Sequence, residues 1–161
     1  MEKPIHLRVF EDHDRKLMED WLYQDYVRQW LIHPENWLME IDQRHGKFNW
    51  IHHYIVMLDG DPIGFCQYYD CFRAKELEEW LDVEESGRFY SLDYLIGKPA
   101  FLGKGYGKQI IKHLIGQIQQ QETGVREVLV EPDHENISSN KVLLANDFIY
   151  DSEKGYYRKA L

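Results

Sequence analysis

Cysteine and proline are scarce in this chain, positive charge is in the minority, and long apolar runs are missing. Two cysteines and five prolines in 161 residues provide neither a disulfide framework nor a proline-rich linker. Cys66 and Cys71 fall five positions apart, in a predicted strand and the loop after it. An odd separation puts two residues on opposite faces of a strand, which argues against a disulfide between them. The eight histidines are scattered, and His52 and His53 alternate across a strand. No Cys/His array has zinc-site spacing, so no metal is expected. No stretch approaches the roughly 20 apolar residues of a membrane span. The start, Met1-Glu2-Lys3-Pro4-Ile5-His6, lacks a signal peptide's apolar segment. A cytoplasmic location away from membranes is expected. Nineteen Lys+Arg against 28 Asp+Glu give a net charge of −9. Without a basic stripe a nucleic-acid partner is not expected, and such a field attracts cations instead.

Apolar residues make up 43% of the chain and aromatics 14%, enough for a sizeable core in one domain, 1–161. Ile5–Val9 alternates like a strand. Leu17, Met18, Trp21 and Leu22 share a helical face behind Asp12 or Asp14 as cap, and Tyr26, Val27, Trp30 and Leu31 continue that spacing. A further helix follows Pro34 and ends near Gly46. Period two then takes over. Trp50–Leu58 and Pro62–Tyr69 read as strands joined by the hairpin signal Asp59-Gly60-Asp61. Lys75–Gly87 is acidic and polar around a lone Trp80. Phe89–Ile96 is another strand, Gly105–Gln121 a helix, Glu127–Glu131 a strand, Ser138–Asn146 a helix and Phe148–Leu161 a hairpin. The order is mixed α/β, a mostly antiparallel sheet flanked by helices. It contains one strand–glycine turn–helix–strand unit that should be parallel and right-handed.

That turn is Gly103-Lys104-Gly105-Tyr106-Gly107. Glycines let main-chain N–H groups close on a ligand at a helix N-terminus, where the dipole favours an anion such as pyrophosphate. Lys104 and Lys108 add local positive charge. The alternative is a tight turn without a ligand, and the string alone leaves the two readings even. The spacing of a P-loop is missing, as are the third glycine and following acidic residue of a dinucleotide fingerprint.

Leu102-Gly103-Lys104-Gly105-Tyr106-Gly107, following Asp93-Tyr94-Leu95-Ile96-Gly97, resembles the acetyl-CoA motif of the GCN5-related N-acetyltransferases, the GNAT superfamily. The family pattern is Gln/Arg-x-x-Gly-x-Gly/Ala. Gly105 and Gly107 match it, and Leu102 replaces the Gln/Arg. In the second motif, Asn-x-x-Ala-x-x-x-Tyr-x-x-x-Gly-Phe, Asn136 and Phe148 match, while Ser139, Leu143 and Asp147 replace Ala, Tyr and Gly. The resemblance covers about the whole chain. Pro62–Tyr69, Ser91–Gly97, Leu102–Gly105 and Glu131–Asn136 are most similar to the aminoglycoside 6′-N-acetyltransferases, a class tied to antibiotic resistance. Siderophore acyltransferases share several of these segments.

The resemblance implies a splayed strand pair holding acetyl-CoA. Its pantetheine arm would lie along Leu95, Ile96 and Gly97. Its pyrophosphate would rest on the turn from Leu102 through Gly103, Lys104, Gly105, Tyr106 and Gly107 to Lys108, with Asn136 also at the cofactor. Asp93 matches the family's proposed base, and a carboxylate on an apolar strand can hold an ammonium and accept its proton. Glu131 is the second carboxylate, an exposed strand end being its alternative role. With Leu143 at the family's tyrosine position, Tyr106 and Tyr94 both remain open as donors to the leaving thiolate. Gln67, Tyr69, Glu78, Glu79 and Trp80 are acceptor-site candidates, since aromatic walls with carboxylates suit a cationic amine. Trp30 and Trp37 are candidates for the same walls, a place in the core being the favoured role of each.

The expected activity is acetyl transfer from acetyl-CoA to a primary amine of a cationic small molecule, by a monomer or homodimer. Acylation of a siderophore precursor or a protein N-terminus is the alternative enzyme reading. A CoA-binding sensor without turnover is the non-enzymatic one.

Overall fold

A computed structural model describes residues 3–161, so the first two residues of the Met1–His6 start lie outside the described part. Seven strands join one sheet in the order β1-β2-β3-β4-β5-β7-β6. They are β1 (His6–Val9), β2 (Ile51–Leu58), β3 (Asp61–Asp70), β4 (Phe89–Ile96), β5 (Glu127–Val130), β6 (Ile149–Asp151) and β7 (Tyr156–Ala160). Every pairing is antiparallel except β4 with β5, whose connection runs through a long helix. The β2–β3 hairpin turns at Asp59 and Gly60, with φ of 50° and 82°. Two successive positive φ values give the twist a two-residue hairpin needs, hence Asp-Gly.

Five helices cover the sheet: α1 (Arg15–Leu22), α2 (Asp25–Arg28), α3 (Pro34–Asp42), α4 (Tyr106–Gln121) and α5 (Ile137–Ala145). The helical spacing after α1 ends sooner than the sequence pattern suggests. α2 is one turn long, α3 stops at Asp42, and turns carry the chain to Trp50. Pro34 opens α3 because a proline at the first position loses no helical hydrogen bond.

Two cores follow from two covered faces. Met18, Trp21, Leu22, Leu38 and Ile41 of α1 and α3 pack on Ile55, Phe65 and Leu95. Ile110, Ile111, Leu114 and Ile118 of α4 pack on Val56, Ile63, Tyr68 and Leu92. Helices on both faces explain why β3 is buried almost continuously rather than at every second residue. Cys66 and Cys71 are free thiols, buried in separate clusters. No helix among the described residues is long and apolar enough to cross a membrane. Among the same residues no group of three or more His, Cys, Asp or Glu side chains is placed to hold a metal.

Candidate active site

The parallel pairing of β4 with β5 is confined to Phe89 opposite Glu127 and Tyr90 opposite Val128. Beyond Tyr90 the two strands part, while β4 stays paired to β3 as far as Ile96. The Phe89 carbonyl accepts from Cys71 N–H at 2.9 Å, and Gly97 N–H donates to the Ile63 carbonyl at 2.7 Å. Odd-numbered residues of β4 therefore turn their main-chain groups to β3. Strand alternation turns those of Leu92, Tyr94 and Ile96 toward the gap. The Ile96 carbonyl there accepts from the Tyr26 hydroxyl at 2.6 Å. The remaining edge can pair with an extended amide-bearing arm such as pantetheine.

This alternation corrects two expectations. Leu95 walls the channel, but its main chain faces β3 and its side chain enters the α1–α3 core. Gly97 lies outside the channel lining. Its N–H is bonded to Ile63, its carbonyl accepts from Gln24 Nε2 at 2.8 Å, and the Trp21 indole occupies the place of a Cβ. Its glycine identity serves that close packing rather than a ligand.

Three contiguous cavities follow the splay. A channel of about 210 Å³ runs past Ile96, Leu102, Ser138 and Ser139. It shares Trp30, Leu31, Tyr94, Asn136 and Ser139 with a central cavity of about 350 Å³. The central cavity shares Trp30, Trp37, Tyr69, Glu79 and Asp93 with a third, of about 290 Å³, which reaches Glu40, Trp50 and Gln67. Trp30 and Trp37 are thus half-buried walls of the site, Trp37 packing against the α1–α3 core as well. Trp21 and Trp50 are the buried indoles.

Asp93 faces both the central and the third cavity. Burial pushes its carboxyl up to about 6, opposed by the Gln67 amide, which donates to Asp93 Oδ2 at 3.0 Å. Glu40 is pushed up to about 7, by burial first and then by the charges of Asp93 and Glu79. Glu79 is raised by burial, Asp93 and Glu131 in that order. Glu131 and Asp133 complete the acidic lining of the central cavity. Burial and mutual repulsion thus favour the protonated forms of Asp93, Glu40 and Glu79 unless a cation neutralises them.

The lone Trp80 has both a packing slot and a place in the wall. Its Nε1 donates to the Tyr69 hydroxyl at 3.1 Å, and its ring meets Tyr156 edge-on at 5.3 Å. Glu78 and Trp80 both have positive φ, 61° and 52°. Between these two left-handed residues Glu79, itself still exposed, borders the cleft, while Glu78 lies outside the cavity lining. The expectation for Glu78 is thereby corrected. Asp70 ties this loop to β3, accepting from Phe72 N–H, Ser86 Oγ and Gly87 N–H.

At the other end, Gly103 and Gly105 have φ of 70° and 87°, and Gly105 caps α4 without any side-chain acceptor. The Tyr106, Gly107 and Lys108 N–H groups precede the first intrahelical bond, Gln109 N–H to the Gly105 carbonyl. Lys104 and Lys108 are exposed beside them. The donors, the dipole and the two cations fit a pyrophosphate. Gly107 has a different use, since a Cβ there would come within 3.0 Å of the Tyr94 hydroxyl. The Tyr106 ring is buried in the core against Phe101, its hydroxyl accepting from Lys3 N–H at 3.3 Å. Only its main chain can serve a ligand. Asn136 caps α5, its Oδ1 accepting Ser139 N–H at 3.2 Å, and also lines the channel.

Glu40 and Asp133 are acidic lining residues that the sequence reading missed, and Glu40 lies farther along the chain from the site's other carboxylates. It stands three residues after Trp37 in α3, a spacing that places both on one helix face. Its signal was masked by apolar Met39 and Ile41 on either side.

A donor channel, a parted parallel strand pair and an acidic acceptor cavity together define an acyl-transfer site. The acetyltransferase (GNAT) domain model matches residues 11–154, and the chain belongs to that family. It is an N-acetyltransferase. It is 23% identical over 139 residues to the aminoglycoside N(6′)-acetyltransferase type 1 of Klebsiella pneumoniae, covering 83% of this chain and 68% of that protein. The structure of AAC(6′)-Ib with ribostamycin and coenzyme A superposes with a TM-score of 0.84 at 20% identity, covering 98% of this chain and 94% of that one. The aminoglycoside N(6′)-acetyltransferase of Legionella pneumophila superposes with a TM-score of 0.72 at 20% identity, covering 100% and 93%. At such identities the superpositions establish the shared fold.

Proposed function

We propose that residues 1–161 work as one catalytic domain that moves the acetyl group of acetyl-CoA to a primary amine of a polycationic, aminoglycoside-like small molecule. The observation that carries the acceptor class is the group Glu40, Glu79, Asp93 and Glu131 around indole and phenol walls at the end of the donor channel. A multiply charged amine neutralises these carboxylates and lies against Trp30, Trp37 and Trp80. The named relatives act on this class of compound, which supports the reading.

The α4 N-terminus holds the pyrophosphate and the open edge of β4 holds the pantetheine. Asp93 accepts the amine proton, directly or through a water, and Gln67 fixes the carboxylate's orientation. Main-chain N–H groups in the gap face the developing oxyanion. The test is release of CoA thiol against a panel of aminoglycosides, polyamines, hydroxylamines and peptide N-termini. Turnover with aminoglycosides well above the others is expected. A preference for a neutral or anionic acceptor overturns the acceptor class, and no turnover with any amine favours a CoA sensor.

A further inference from the structure

The carboxyls of Glu40, Glu79 and Asp93 line the third cavity, and two of them have a donor from the protein. Asp93 accepts from the Gln67 amide at 3.0 Å, and the Tyr69 phenol favours the charged form of Glu79. Glu40 receives no hydrogen bond and meets no cation among the described residues; the charges that act on it are Asp93 and Glu79. A half-buried carboxyl with only like charges for company does nothing for the fold. Its partner is left to a ligand.

Helix α3 aims this carboxyl. His33, Asn36, Trp37 and Glu40 all line the third cavity, and their spacing of i, i+3, i+4 and i+7 is one helical face. Leu38 and Ile41, on the adjacent face, anchor the helix in the α1–α3 core. The opposing wall is Gln67 and Tyr69 of β3 with Asp93 of β4.

The sequence of spaces then sorts the carboxyls. The donor channel shares its walls mainly with the central cavity. Asp93 and Glu79 line both the central and the third cavity, Glu131 only the central one, and Glu40 only the third. An amine held at Asp93 therefore has the thioester and Glu131 on one side and Glu40 on the other.

We propose that Glu40 is a specificity-determining residue: its carboxylate receives a second ammonium of the acceptor, on the far side of the amine that Asp93 holds. The inference rests on the acetyl transfer of the preceding section. An ammonium there neutralises Glu40 and relieves the repulsion it shares with Asp93 and Glu79. A hydroxyl in the same place brings a hydrogen bond but no charge. The α3 face thus selects an acceptor with two amines over one that carries a hydroxyl in place of the second.

The test uses kanamycin A and kanamycin B. They differ only in a hydroxyl or an amino group at one carbon of the ring that bears the aminomethyl group. CoA thiol release gives kcat/KM for each with wild type, Glu40→Gln and Glu131→Gln. Wild type should prefer kanamycin B by about tenfold, the size of one hydrogen bond to a charged group. In Glu40→Gln that ratio should fall toward one, chiefly through a higher KM for kanamycin B. Glu131→Gln should keep the ratio, because Glu131 does not line the third cavity. Calorimetry at pH 7 in buffers of different ionisation enthalpy supplies a readout that a structural role would not move. Burial and like charges push Glu40 up to about 7, so an ammonium bound there expels part of a proton, and Glu40→Gln should release fewer protons with kanamycin B. Asp93, Glu79 and His33 also titrate against this space, so the count is read as the difference between wild type and variant. Equal use of the two kanamycins by wild type overturns the assignment, as does a preference that survives Glu40→Gln. So does an equal loss in Glu131→Gln, which makes the preference a property of the general acidic field. All three leave the acetyl transfer standing. Turnover of other amines but of neither kanamycin overturns the aminoglycoside-like reading itself.

Discussion

Gln67 and Asp93 stand opposite each other in a hydrogen-bonded pair of β3 and β4, and the Gln67 amide donates across the pair to Asp93 Oδ2 at 3.0 Å. Gln67 is 3% exposed, so this donor is fixed before any ligand arrives. It moderates a carboxyl that burial alone would push higher than about 6.

Asp93→Asn should lower kcat by roughly 10²–10⁴, the range for losing a general base, with coenzyme A affinity unchanged. Gln67→Leu should act differently. Without the amide, Asp93 is harder to ionise, so the acid limb of kcat/KM should move above pH 6. A pH–rate profile that keeps the wild-type limb in Gln67→Leu would show that Asp93 does not set it.

Stability should fall as pH rises through the cleft's titration. The folded-state carboxyls of Asp93 and Glu40 are raised, to about 6 and about 7. Below the ordinary carboxylate range both are neutral in folded and unfolded chains, and their contribution is fully present. As pH climbs from about 4 to about 7 the unfolded chain releases these protons first, so folding loses stability. Glu40→Gln should remove part of that loss, by up to roughly 3 kcal/mol at pH 8 and by little at pH 4. Urea unfolding at the two pH values reads the difference; equal effects at both would place the Glu40 proton elsewhere.

Coenzyme A at 100 times its Kd should stabilise the fold by about 2.7 kcal/mol. Gly105→Val should abolish the shift. Gly105 has a φ of 87°, which a β-branched residue adopts only with strain, and its Cβ would stand beside the first-turn N–H groups. A full thermal shift in that variant would move the pyrophosphate off this turn.

The acceptor's KM should rise with salt, because several carboxylates attract it through a screened field. Neutralising Glu79 and Glu131 together should raise KM for a polycationic amine and leave coenzyme A binding alone. Glu78→Gln should do nothing, since Glu78 lies outside the cavity lining. Trp80→Ala should raise KM too, through lost stacking and through the freed Tyr69 hydroxyl. Comparable KM values for Glu78→Gln and the double variant would remove the distinction between the two neighbours.

Much was legible along the chain because it depends on short-range rules. Alternation revealed the β2–β3 hairpin and β4, and Asp59-Gly60 located their turn. Glycines followed by a helical apolar face revealed the α4 N-terminus, and Asp93 stood out as a carboxylate among apolar strand residues. The sequence by itself determined these elements, the acidic balance and the family. The tertiary structure alone decided which groups meet. Parting of β4 from β5 after Tyr90 opens the site, and no local pattern encodes where two distant strands separate. Residues 78–80 alternate in their backbone conformation, so Glu79 borders the cavities and Glu78 does not, although the two are chemically alike. Helix α3 carries Glu40 to a cleft whose other walls lie up to some hundred positions away. Packing likewise separated two tyrosines: α4 folds Tyr106 into the core, while β4 leaves Tyr94 at the junction of the cavities.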